Sequence, residues 1–301
     1  MSISKVSDKV YVIDTKAFGY EKCVASYLIK GGKYALIDVG YANTYGNILE
    51  ALNQVNVNFD DIKYIIPTHV HLDHSGATGH LAERMKNATI VAHEKAAKHL
   101  IDPTRLVESS IQVFGEYEVY NRMGLPLPVE KERIEIVKDE LELSLGGITL
   151  RCVYSPGHAP HQISVYIDEL DYLVTADTVG IIYPFLNVMI PTTPPPSFNA
   201  EQAIETLKKL SSFDPKVLLM PHFGISMDYK YVFEETKRKI NSYIEEVRKM
   251  KNENLSYDEM LSQLIKKVAN EANMKEEEMH PYVIHSLRVT LSGIITYLSK
   301  K

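Results

Sequence analysis

Only two cysteines occur in 301 residues, Cys23 and Cys152, each within strand-like sequence. So few thiols argue against a disulfide-built scaffold, and both are expected as buried free thiols in a reducing compartment. A cationic excess is also missing. With 33 Lys and Arg against 39 Asp and Glu the formal net charge is −6, so no global attraction to nucleic acid or anionic membrane operates. No apolar run is long enough to span a bilayer, and Met1 to Asp14 lacks the basic start and continuous apolar core of a secretory signal. The expectation is a cytoplasmic protein with neither nucleic acid nor membrane as partner. The 45% hydrophobic and 24% charged content is that of an ordinary globular chain, long enough for one large domain or a domain with an appendage.

The densest chemistry lies between Tyr64 and Gly76, where His69, His71, Asp73 and His74 fall within six positions directly after a β-branched apolar run. On an extended segment His69 and His71 point to the same side, so one ion can take both. Asp73 and His74 are adjacent and would point apart on a flat strand, so the chain must curve to present them elsewhere. Imidazole and carboxylate together suit zinc, iron or manganese rather than a metal that prefers thiolate.

The pattern His-x-His-x-Asp-His resembles the metal-binding signature of the metallo-β-lactamase superfamily. Further positions fit that resemblance in order: Asp38 closing an earlier strand, His158 in a Pro-Gly-His turn, Asp177 after another strand, and His222 in Met220-Pro221-His222. It covers about residues 8–226 and implies an α+β protein, a four-layer αββα sandwich. It also implies two divalent metal ions, zinc first, with iron or manganese accepted by the same ligands. His69, His71 and His158 would hold one ion, Asp73, His74 and His222 the other, and Asp177 would bridge them. Asp38 would orient a ligand imidazole, and with Asp73 it is taken as a catalytic carboxylate. The implied activity is hydrolysis by a metal-bridging hydroxide on a small-molecule thioester, ester or lactone, as in the glyoxalase II-like and lactonase branches. A ribonuclease Z-like phosphodiesterase and a mononuclear iron persulfide dioxygenase are the alternatives. Asp177 counts against a true β-lactamase, which generally lacks the bridging carboxylate.

In chain order, residues 9–14, 23–29 and 34–39 read as strands, 43–55 as a surface helix, and 61–66 as the strand feeding the metal loop. Phe18 and Tyr20 lie in a loop that overhangs the metals in this superfamily. With Tyr183 and Phe185, in the apolar stretch after Asp177, they are the candidate substrate contacts. Residues 93–135 lose the strand pattern and suggest a partly helical cap inserted into a catalytic domain of residues 1–229. His93 and His99 there are expected as surface residues, His80 as packing or surface, and His161 as a donor behind the metal ligands or a turn residue. Strands at 163–167 and 172–175 follow, then a helix capped by Asn199 and a last strand at 216–220. Residues 230–301 read as amphipathic helices, one opened by a capping box at Ser256 and Glu259. They are expected to pack near the mouth of the site or to form a homodimer contact, with His280 and His285 in structural roles.

Overall fold

Strands that are apolar on both faces need cover on both sides. The computed structural model, which describes residues 2–301, supplies that cover from a second sheet on one side and helices on the other. The first sheet follows the order of the chain: β1 (Ile3–Lys5), β2 (Val10–Asp14), β3 (Ala25–Lys30), β4 (Tyr34–Ile37), β5 (Ile62–Ile66), β6 (Thr89–His93) and β7 (Ile134–Val137). Its first four strands pair antiparallel and β4 to β7 run parallel. Parallel neighbours require crossovers. These are α1 (Tyr45–Gln54), then α2 (Leu72–Ser75) with α3 (Thr78–Arg84), then α4 (Glu94–Ile101) with α5 (Thr104–Phe114).

The second sheet contains β8 (Glu140–Ser144), β9 (Thr149–Tyr154), β10 (Ile163–Ile167) and β11 (Tyr172–Val174). A small hairpin of β12 (Ile181–Ile182) and β13 (Met189–Ile190) and helix α6 (Ala200–Ser211) then lead to β14 (Val217–Met220) and β15 (Gly224–Ser226). Beyond it come α7 (Tyr229–Asn252), α8 (Tyr257–Glu271) and α9 (Pro281–Leu298).

Alternation along each strand sorts the core into layers. On β3, Tyr27 and Ile29 join Ile163, Val165 and Leu219 between the sheets, while Leu28 turns outward to Ile48 and Leu52 of α1 and Leu81 of α3. On the far side Val153, Leu173 and Leu218 pack with Leu207 and Leu210 of α6 and Phe233 of α7. The sequence of helices, sheet, sheet, helices is the αββα sandwich.

The C-terminal helices share a core with Tyr183, Ile190 and Phe198. The capping box of α8 is formed: Ser256 Oγ accepts the Glu259 N–H, and the Glu259 carboxylate accepts the Ser256 N–H. Helix α9 is tied to the loop after β13 by two reciprocal bonds. Thr290 Oγ1 donates to the Pro191 carbonyl at 2.8 Å, and Thr193 Oγ1 donates to the Thr290 carbonyl at 3.0 Å. Gly293 allows that approach, because a Cβ there would lie 1.6 Å from the Thr193 carbonyl oxygen.

Three expectations change. The strand ending at Met220 is not the last, since β15 folds back on it in antiparallel register. Strands β1 and β7 were too short or too irregular in pattern to read. His93 is buried rather than on the surface: its Nδ1 accepts the Lys95 N–H at the start of α4, and its ring stacks on Tyr154 at 4.3 Å. Cys23 and Cys152 are both buried and unpaired. Among the described residues no helix is long and apolar enough to cross a membrane.

Candidate metal centre

Each donor sits where a strand of the sandwich ends. Asp38 follows β4 with φ 54°, a left-handed conformation that Asp tolerates better than most residues. Its carboxylate thereby bridges two segments of the next loop: Oδ1 accepts the Thr68 N–H at 2.8 Å and Oδ2 accepts Nδ1–H of His74 at 2.9 Å. Beyond β5 the chain bends through Thr68 to His71 and enters α2, which carries Asp73 and His74. His158 follows Gly157, whose φ is 136° and whose missing Cβ would meet the Ala203 backbone nitrogen of α6 at 2.4 Å. Only glycine combines that conformation with that proximity. Asp177 follows β11 and His222 follows β14.

The second ring nitrogen of several imidazoles is engaged by an acceptor, which fixes the tautomer. Nδ1–H of His158 donates to the Thr192 carbonyl at 3.3 Å, that of His222 to the Cys23 carbonyl at 3.0 Å, and that of His74 to Asp38. The Nε2 atoms therefore face inward with their lone pairs. His71 Nδ1 lies 2.9 Å from Nε2 of both His69 and His158. Around the neighbouring point, His74 Nε2 stands 3.5 Å from Asp73 and 3.6 Å from Asp177, and His222 Nε2 stands 3.4 Å from Asp177 and 3.8 Å from Asp73. His158 Nε2 is 3.5 Å from the same Asp177 carboxylate.

These residues fit divalent metal. Metal–nitrogen bonds of about 2.0–2.1 Å place neighbouring tetrahedral ligands roughly 3.3 Å apart, within the spread of the observed separations. His74 Nε2 is buried without a hydrogen-bond partner. The charges make the same demand. Burial disfavours a positive His74, yet Asp73, Asp177 and Asp38 outweigh it and raise the ring's pKa to about 10. Burial, opposed by Asp177, pushes His158 down to about 3. Burial likewise opposes ionisation of Asp177, but His74, His222 and His158 hold it far below the usual carboxylate range. Buried carboxylates that charge their histidine neighbours mark a point that calls for a cation.

Residues 22–222 match the Metallo-beta-lactamase superfamily. The chain belongs to that superfamily. A metallo-beta-lactamase fold-containing protein of Sulfurisphaera tokodaii is 33% identical over 204 residues, 66% of this chain and 72% of that protein. The crystal structure of an archaeal metallo-beta-lactamase superfamily protein from Sulfolobus tokodaii, 29% identical, superposes with a TM-score of 0.65 over 77% of this chain and 86% of its own. A metallo-beta-lactamase family protein of Thermus thermophilus shares the fold across 98% of this chain and 95% of its own, C-terminal helices included, with a TM-score of 0.69 at 19% identity. A protein of Methanocaldococcus jannaschii named "Probable metallo-hydrolase" is 32% identical over 164 residues, 54% of this chain and 71% of that protein.

In this member of the superfamily a cavity of about 300 Å³ opens onto the donor cluster. Its walls come from α5, α9, the loop 192–197 and Tyr41, and they differ from the expected ones. Phe18 stands behind the wall, stacked on Tyr41 at 4.9 Å and tilted against Tyr282 at 5.6 Å. Tyr20 packs on His280. Tyr183 is fully buried with its hydroxyl 2.8 Å from Ser286 Oγ, and Phe185 stacks on its outer side and on His280. None of these four faces the cavity. Tyr41, Tyr282 and His285 do, together with Phe114 and His99. His99 is half-buried on that wall, and His285 lines it while packing against Phe18, Phe114 and Tyr282, the structural role expected of it. His161 lines the cavity behind the first donors, its Nδ1 accepting a long 3.5 Å bond from the Val70 N–H. His80 stacks on Tyr45 away from the site, and His280 caps α9 through the Tyr282 N–H. Tyr41 had a sequence signal, lying three residues after Asp38; the α9 residues had none.

Proposed function

We propose that this protein is a dinuclear metallo-hydrolase acting on a small-molecule thioester, ester or lactone. The observation that carries the reading is the pair of donor groups, His69–His71–His158 and Asp73–His74–His222, with the Asp177 carboxylate facing both. In this reading each group holds one divalent ion and Asp177 is shared; zinc is the first choice, and the same donors take iron or manganese. Two ions bound there supply water activated at neutral pH and a Lewis acid for the carbonyl oxygen under attack.

The chain's own residues do the rest. Asp38 holds the His74 ring and the Thr68 backbone in register, so that the imidazole cannot rotate out of line. Asp73, one-fifth exposed on the cavity wall and kept ionised against burial by His74 and His222, accepts a hydrogen bond from the attacking water and so orients it. The apolar walls of α5 and α9 exclude bulk water and strengthen every charge interaction at the floor. Arg105 is the one cationic lining residue among those described, which favours a carbonyl substrate over a phosphodiester needing several cations.

A screen of thioesters, lactones, aryl esters and phosphodiesters tests this. The expected result is turnover on one of the carbonyl classes, lost on chelation and restored by a divalent ion. Thiol-dependent oxygen uptake with no hydrolysis would overturn it.

A further inference from the structure

Most polar groups that line the cavity are engaged within the fold. Thr192 Oγ1 donates to the Asp177 carbonyl at 2.8 Å, Ser286 Oγ to the Tyr282 carbonyl at 3.0 Å, and Ser110 Oγ to the Leu106 carbonyl at 2.8 Å. One end of the cavity differs. Among the described residues the Arg105 guanidinium, the Ser109 hydroxyl and the His99 ring lie on the wall without a hydrogen bond, and Arg105 has no ion pair. Asp102 is close in sequence, but its Oδ1 accepts from the Thr104 N–H at 3.0 Å and the Thr104 hydroxyl at 2.6 Å.

Ser197, on the loop 192–197, and His285, on α9, also line the cavity without a hydrogen bond, but the three groups at the α4–α5 end include its one cation. Arg105 and Ser109 are four residues apart on α5, so they share a helix face. His99, at the end of α4, connects this end to the donors: its ring lies 6.4 Å from His161, which lies 6.1 Å from His71. Burial, with Lys98 and Arg105 nearby, lowers the pKa of His99 and leaves the ring neutral at pH 7. The cluster then carries one positive charge and two neutral donors. Between it and α9 the same wall turns apolar through Leu106, Val113 and Phe114, and Phe114 stacks on His285 at 5.4 Å.

We propose that Arg105, Ser109 and His99 bind a carboxylate at the far end of the substrate, making it an ω-carboxyacyl thioester or ester. This rests on the hydrolase reading above and adds the substrate class to it. A planar guanidinium takes a carboxylate through two parallel N–H···O bonds. The serine hydroxyl and the imidazole N–H supply further donors, and one cation matches one anion. The apolar stretch along α5 suits a methylene chain, which needs contact surface and no hydrogen bonds.

Calorimetric titration of the metal-loaded protein compares adipate with hexanoate, and suberate with octanoate. At least one diacid is expected to bind about tenfold or more tightly than its monoacid. Arg105→Gln, at an exposed position where folding is not at stake, is expected to bring that ratio close to one, and Ser109→Ala to lower it part-way. Equal affinities within both pairs, or a diacid preference that Arg105→Gln leaves intact, would overturn the proposal. Turnover separates it from the reading beneath it. A kcat/KM ratio favouring adipyl over hexanoyl thioester supports both. Equal turnover of the two overturns the carboxylate site and leaves the hydrolase. A diacid preference with no turnover on any ester supports the carboxylate site and counts against the hydrolase.

Discussion

Asp38 and His74 lie 36 residues apart and meet in a 2.9 Å hydrogen bond, both side chains fully buried. The bond joins the end of β4 to α2, and the other oxygen of the same carboxylate holds the backbone at Thr68. The direction of His74 Nε2 is therefore set by a residue that belongs to neither donor group. A donor atom without a hydrogen-bond partner of its own is held in place through the other nitrogen of its ring.

Asp38→Asn keeps the size of the side chain and removes its charge. The expected outcome is a metal affinity about 10- to 100-fold weaker, measured by chelator competition, with secondary structure retained. An unchanged affinity would show that Asp38 serves packing alone.

Asp177→Ala removes the carboxylate that faces both donor groups. Hydrolytic activity is expected to fall by on the order of a hundredfold or more, with loss of bound metal. Near-wild-type turnover in a fully metallated variant would exclude Asp177 as the shared ligand.

Chelation leaves Asp73 and Asp177 close together with no ion between them. A ligand present at a thousand times its dissociation constant contributes about 4 kcal/mol to stability, so stripping metal is expected to lower Tm by several degrees, reversibly. The check is a calorimetric scan before chelation, after it, and after metal is returned.

The donors were legible because their chemistry is local. His69, His71, Asp73 and His74 fall within six positions, and Asp38, His158, Asp177 and His222 each close a readable strand or turn. The cavity walls were not legible, because lateral packing decides them. Tyr183 looked like a pocket residue from its place after Asp177, but its hydroxyl turns to Ser286 on α9 and the ring is buried. Tyr282 and His285 sit in an amphipathic helix whose sequence does not record that its inner face meets a cavity. His99 read as a surface residue for the same reason. Strand β15 escaped notice because three residues, Gly224 to Ser226, carry too little alternation to recognise.

Gly157→Ala tests the turn that delivers His158. A side chain at φ 136° is strained, and its Cβ would overlap α6 at Ala203. A loss of about 2–4 kcal/mol is expected in denaturant unfolding. A variant as stable as the parent would mean that α6 yields at this contact.

Counting divalent ions per chain in the purified protein by elemental analysis tests the central claim most directly. Two ions per chain are predicted, falling to one or none in Asp177→Ala. A single ion per chain under saturating metal, with Asp73→Ala and His222→Ala binding it as tightly as the parent, would contradict the dinuclear centre.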